Sequence, residues 1–101
     1  MRLLTILFMV LSFNAHAFLT QTIGTASTAS TMVLGKKTTR NYFYIQNLGS
    51  GNIFVKFNSI HSGTEGIRVA PGESYSKENG MYSEVWVVTA ALPQDFVILE
   101  N

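Results

Sequence analysis

Two runs rich in aromatic and β-branched residues, separated by a glycine-containing turn, constrain this chain more than any other feature. The first run is Tyr-Phe-Tyr-Ile-Gln-Asn, the turn is Leu-Gly-Ser-Gly-Asn, and the second run is Ile-Phe-Val-Lys-Phe-Asn. Apolar and polar positions alternate in the second run, which is typical of a strand with one buried face. Two such strands and a short turn predict a β-hairpin from Arg40 to Asn58, with the rest of the chain folded around it.

The first of these strands has two possible orientations for its aromatic residues. Phe43 and Ile45 are expected to face inward, with Arg40, Tyr42, Tyr44 and Gln46 facing outward. Alternatively, the tyrosines pack against a second layer. Core packing or a protein interface suits the two tyrosines better than stacking on a ligand, so both are candidate interface residues.

Further short strands are expected along the rest of the chain, at residues 18–23, 32–34, 67–69, 74–76, 85–88 and 96–100. Turn signals separate them, among them Pro71-Gly72 and Asn79-Gly80. Trp86 lies among valines and is predicted to anchor the core. Seven or eight short strands predict an all-β fold, a small antiparallel β-sandwich of the jelly-roll or immunoglobulin-like kind.

The first seventeen residues have the parts of a secretory signal peptide. A positively charged start is followed by an apolar run from Leu3 to Phe13, expected to be helical, and by a small-residue cleavage site at residues 15–17. Cleavage before Phe18 would export the domain to the periplasm or the extracellular space. An uncleaved anchor that contacts the membrane through Leu3 to Phe13, or a buried core element, is the alternative.

The remaining chain divides into residues 18–31 and a sandwich domain at residues 32–101. The first part ends in a run of small Ser, Thr and Ala residues, which lacks the apolar surface needed to order itself. It is either a flexible arm or an edge strand, and the arm would add a strand to a neighbouring subunit. Thr25, Thr28 and Thr31 are its candidate contact residues.

Charge and cysteine content exclude several classes of protein. Without Arg2 the chain has six basic and six acidic residues, so it has no electrostatic reason to bind nucleic acid. It has no cysteine, and therefore no disulfide to stabilise so short an exported domain. Its stability must come from an efficient core, from a partner or from both, which leaves a monomer and an oligomer open.

No catalytic, cofactor or metal site is predicted. His61, the one histidine after the leader, lies in a polar loop without partners at an informative spacing. It is expected to be solvated, or at most to make a pH-sensitive contact at an interface. The six carboxylates are scattered, and five of them lie in predicted turns or at strand ends, where charges are normally solvated.

Three motifs resemble those of a known group of proteins: a strand ending in Ile45-Gln46-Asn47, a Val55-Lys56-Phe57 strand, and Gly66-Ile67-Arg68-Val69-Ala70-Pro71-Gly72. In this order the chain from Arg40 to Asn101 resembles small structural proteins of tailed and other bacteriophages. The resemblance implies a non-enzymatic, virion-associated subunit that binds copies of itself or other virion proteins. The leader departs from that group, so the alternative is an exported bacterial module that recognises a protein or glycan through loops, especially residues 59–66.

Overall fold

The computed structural model describes residues 19–60, 64–78 and 81–101. Within these ranges the chain forms eight β-strands and no helix: β1 (Thr20–Ala26), β2 (Thr31–Leu34), β3 (Tyr42–Asn47), β4 (Ile53–Phe57), β5 (Ile67–Val69), β6 (Ser74–Glu78), β7 (Val85–Thr89) and β8 (Gln94–Glu100). The predicted leader at residues 1–17, His61 and the turn at residues 79–80 lie outside the described residues.

The strands form two four-stranded antiparallel sheets. Sheet 1 has the order β1-β8-β3-β6, and sheet 2 has the order β2-β7-β4-β5. Most connections therefore cross from one sheet to the other. Among the described strands, β4 and β5 are the pair that follow one another in the chain and also lie side by side in one sheet. The predicted all-β sandwich is confirmed, and eight strands in this crossing order make its jelly-roll form.

The predicted hairpin from Arg40 to Asn58 is wrong, because β3 and β4 belong to different sheets. β3 pairs with β6 and β8, whereas β4 pairs with β5 and β7. Residues 48–52 carry the chain across the core instead of turning it back beside β3. Both arrangements bury the same alternate residues, so alternation reveals which face of a strand is buried but not which strand lies beside it.

The core lies between the two sheets and is built from alternate residues of their strands. Its members are Ala26, Leu34, Phe43, Ile45, Ile53, Val55, Val69, Met81, Val85, Val87, Phe96 and Ile98. The rings of Phe43 and Phe57 meet edge to face, with centroids 5.9 Å apart. Close packing also explains one glycine: a Cβ on Gly24 would lie 2.8 Å from Cζ of Phe96, so β1 needs glycine where that ring packs.

Trp86 is not the core anchor that the sequence predicted. Val85 and Val87 occupy the inward positions of β7, which leaves Trp86 half-buried on the outer face of sheet 2. Its Nε1 donates a hydrogen bond to Oε1 of Glu84 at 3.1 Å. Val88, also on the outer side by alternation, is buried, so β7 is covered on both faces at that position.

Within residues 19–31 the structure has one edge strand and the start of a second, and both belong to the sandwich. Residues 20–26 form β1, which pairs with β8 of the same chain along its whole length. Thr31 begins β2, which pairs with β7. The loop between them is held by the backbone of β7, since the Thr89 N–H donates to the Ser27 carbonyl oxygen at 2.8 Å.

Candidate interaction surface

The outer face of sheet 1 carries a group of apolar and aromatic side chains, which we call the tyrosine face: Ile23, Tyr42, Tyr44, Val97 and Leu99. Two polar side chains lie among them, with Gln46 opposite Val97 and Gln21 opposite Leu99. Strand register brings them together, because Leu99 is paired with Tyr44 and Val97 is paired with Ile23. Directly paired residues lie on the same side of a sheet. Ile23 is 66% exposed, and the other four are half-buried.

The two tyrosines of this face have polar neighbours along β3 and β6. The Tyr44 hydroxyl donates a long hydrogen bond of 3.4 Å to Oε1 of Gln46. Tyr42 is paired with Glu78 of β6. Burial raises the pKa of Tyr42 above its ordinary value of 10.0, and the nearby Tyr44 and Glu78 raise it further.

Because of this raised pKa, we expect Tyr42 to make stability fall at high pH. The unfolded chain releases the phenol proton at the ordinary value, whereas the folded chain retains it. The contribution to the free energy of unfolding is complete below pH 10.0 and declines as the pH rises through the folded pKa. Denaturant unfolding at a series of pH values should show this decline in the wild type and a shallower one in Tyr42→Phe.

Tyr82→Phe is the matched control, because Tyr82 is 47% exposed and lies off the tyrosine face. Identical slopes for Tyr42→Phe and the wild type above pH 10.0 would contradict the assignment.

The predicted contact threonines are not gathered at one place. Thr25 lies on the outer side of β1, where its Oγ1 donates to Oδ1 of Asp95 at 2.8 Å, beside the tyrosine face. Thr28 is exposed in the loop after β1, and Thr31 begins β2 in the other sheet, with its Oγ1 bonded to the carbonyl oxygen of Ala29 at 2.9 Å. His61 lies outside the described residues.

Arg40 was predicted to face outward, and this is wrong. It is 1% exposed and closes one end of the sandwich. Its Nε donates to Oε1 of Glu100 at 2.7 Å, and its guanidinium also donates to the carbonyl oxygens of Gly35, Met81 and Ser83. The sequence does carry a signal for Glu100, since it continues the inward alternation of Phe96 and Ile98 along β8.

A second buried polar cluster closes the opposite end, and sequence reasoning missed it. Nδ2 of Asn47 donates to the carbonyl oxygens of Gly51 and Val69 at 2.7 and 2.9 Å, and its Oδ1 accepts from the Gly49 N–H at 2.8 Å. Oε1 of Gln94 accepts from the N–H groups of Ser50 and Gly51 at 2.8 and 3.0 Å. Both side chains bond to the connection between β3 and β4, so their role is structural.

An open depression of about 230 Å³ lies beside this cluster. It is lined by Ser50, Gly51, Asn52, Thr89, Ala90, Ala91, Leu92 and Gln94. None of these residues has a titratable side chain, so the depression offers no group for acid–base chemistry. Oγ1 of Thr89 is buried without a hydrogen-bond partner, but Thr89 shares the inward side of β7 with Val85 and Val87.

Two features are absent from the part of the chain that the structure describes. No group of three or more His, Cys, Asp or Glu side chains within it is arranged to hold a metal ion. Nor does any helix within it have the length and apolar character needed to cross a membrane.

No protein-family model and no curated protein matches the sequence. Solved structures do match the fold. A de novo designed double-stranded β-helix has a TM-score of 0.56 at 22% identity, over 81% of this chain and 99% of the designed one. A cupin domain from Bordetella pertussis Tohama I has a TM-score of 0.53 at 13% identity, over 86% of this chain and 84% of that chain.

A third similar structure comes from the Bacillus endospore appendages, which form a family of disulfide-linked pili. Its TM-score is 0.51 at 20% identity, and the match covers 82% of each chain. All three identities are low, so these likenesses concern the fold and not the activity. The chain is similar in fold to the double-stranded β-helix, in agreement with the jelly-roll order of its strands.

Proposed function

We propose that this chain is a non-enzymatic structural subunit, exported or carried on a virion, that binds other protein subunits through the tyrosine face. The observation that carries the proposal is the cluster of apolar and aromatic side chains on the outer surface of sheet 1. The inner side of this sheet already packs into the core, and the free side of such a sheet is normally polar. Apolar residues on both sides favour a second protein layer over water.

The composition of the tyrosine face suits a protein interface. Tyrosine is enriched at such interfaces and charged residues are depleted at their centres, with polar residues at the rim. Tyr42 and Tyr44 lie with Val97 and Leu99, and the nearest outward acidic residues, Asp95 and Glu78, are at opposite ends of the sheet. The arrangement therefore resembles an uncharged centre between acidic margins.

Further observations support a structural role. The resemblance to small phage structural proteins implies assembly, and a pilus subunit is among the proteins with a similar fold. This chain has no cysteine, so its contacts with other subunits must be non-covalent. The depression lined by Ser50 and Gln94 lacks titratable groups, which favours binding over catalysis.

The proposal predicts that Tyr44→Lys prevents assembly without unfolding the subunit. The lysine stem can cover the sheet while its ammonium group requires water, so a partner could not desolvate this surface at low cost. We expect the purified wild type to sediment as an oligomer or to co-purify with particles, and the variant to be a folded monomer. Far-ultraviolet circular dichroism would check that the strands remain.

Tyr82→Lys is the matched control, since it adds the same charge at an exposed tyrosine away from this face, and it should assemble like the wild type. A wild type that stays monomeric at every concentration, or a Tyr44→Lys variant that assembles normally, would contradict the proposal. A monomer recovered from the periplasm would instead favour the exported binding module.

A further inference from the structure

The two open sides of the sandwich differ in charge. β1 and β2 are the edge strands on one side, and β5 and β6 are the edge strands on the other. Residues 19–34 contain no charged side chain, whereas β5 contains Arg68 and β6 contains Lys77 and Glu78. Charged side chains on an edge discourage pairing with another chain. The β1 side lacks this protection.

β1 has the features of a strand that accepts another strand. It has seven residues, it contains no proline, and its register with β8 is regular from Thr20 to Ala26. An edge strand directs one row of backbone N–H and C=O groups away from its sheet. Ile23 lies at the centre of β1 and is 66% exposed, although a large apolar side chain is costly in water.

We propose that β1 pairs antiparallel with β1 of a second copy of this chain, about a two-fold axis at Ile23. The inference rests on the proposed function, because it identifies a partner for the same assembling sheet. A register centred on Ile23 pairs all seven residues of each strand. It sets Thr22 opposite Gly24 and Gln21 opposite Thr25, so no position is blocked by charge or bulk.

This pairing accounts for the exposed isoleucine and joins the two tyrosine faces. Ile23 of each copy would lie directly opposite its equivalent, with Cβ atoms about 4.5–5.5 Å apart. Sheet 1 would continue through the axis into sheet 1 of the second copy. A two-fold contact is isologous, so the same uncharged edge serves both subunits and the charged β5 and β6 edges remain outside.

The absence of cysteine allows a direct test in the full chain. Ile23→Cys should form a covalent dimer under mild oxidation, because directly opposed Cβ atoms are close enough for a disulfide. Leu92→Cys is the control of matched exposure, at 69%. Ser76→Cys is the control on the edge strand β6, where its position is also exposed. Both controls should remain uncrosslinked.

A second variant tests the same axis without a covalent bond. Ile23→Lys sets two like charges opposite each other and should weaken dimerisation about tenfold or more, measured by sedimentation equilibrium. Because Ile23 is exposed, the variant should keep the wild-type circular dichroism. No excess crosslinking of Ile23→Cys over the controls, crosslinking to a different protein, or unchanged dimerisation of Ile23→Lys would each overturn the inference.

The outcomes also separate this inference from the proposed function. If the wild type assembles and Tyr44→Lys does not, while Ile23→Cys assembles normally without a specific crosslink, the structural role stands and the β1 pairing is wrong. If the wild type is monomeric at every concentration, both are wrong.

Discussion

Arg40→Met is expected to lower the free energy of unfolding by about 3–5 kcal/mol, because it leaves the buried Glu100 carboxylate without its main partner. The Arg40 guanidinium lies 2.7 Å from Oε1 of Glu100 and also bonds to three backbone carbonyl oxygens. Lys37 is too distant to replace it fully, with its Nζ at 3.9 Å from the same oxygen. Urea unfolding followed by tryptophan fluorescence would measure the loss.

Lys56→Met is the control for this experiment, because Lys56 makes an ion pair of 2.8 Å with Glu65 at the surface. Exposed pairs contribute about 0–1 kcal/mol, so its effect should be small. Arg40→Met combined with Glu100→Leu should recover much of the loss, since it removes both buried charges together. Similar effects of Arg40→Met and Lys56→Met would show that the buried pair does not hold this end of the sandwich.

Asn47→Ala is expected to cost about 3 kcal/mol, since it removes the side-chain partner of three backbone groups, one of them buried and two part-buried. Those groups are the Gly49 N–H and the carbonyl oxygens of Gly51 and Val69. Two of them belong to the connection that carries the chain from sheet 1 to sheet 2. We therefore expect the amides of residues 48–52 to lose protection from hydrogen exchange in the variant.

Asn41→Ala serves as the comparison, because Asn41 is exposed and changes there are usually within about 0.5 kcal/mol. Asn47→Asp tests the chemistry further: it keeps the acceptor for the Gly49 N–H but presents an oxygen to the two carbonyl groups. It should be at least as destabilising as Asn47→Ala. If Asn47→Asp left the free energy of unfolding unchanged, the hydrogen bonds of the Asn47 amide would not be what holds the connection between β3 and β4 in place.

Local alternation determined much of the architecture of this chain. Phe43 and Ile45 lie inward and Tyr42 and Tyr44 lie outward, as the sequence predicts, because successive side chains of a strand point to opposite faces. The strands and their turns are marked by β-branched and aromatic runs between glycine and proline. The same reasoning failed at Trp86, where two neighbouring valines compete with it for the inward positions.

Only the tertiary structure decided which strands are neighbours, and with them the candidate surface. Ile23, Tyr44 and Leu99 are far apart in the chain, and β8 joins them by pairing with β1 on one side and β3 on the other. Strand alternation is a local property with a period of two residues, so it reports a buried face without naming the partner. The order of the strands and the burial of Arg40 against Glu100 depend on the free energy of the whole sandwich. Contacts between distant segments set that free energy, so no short stretch of sequence predicts it.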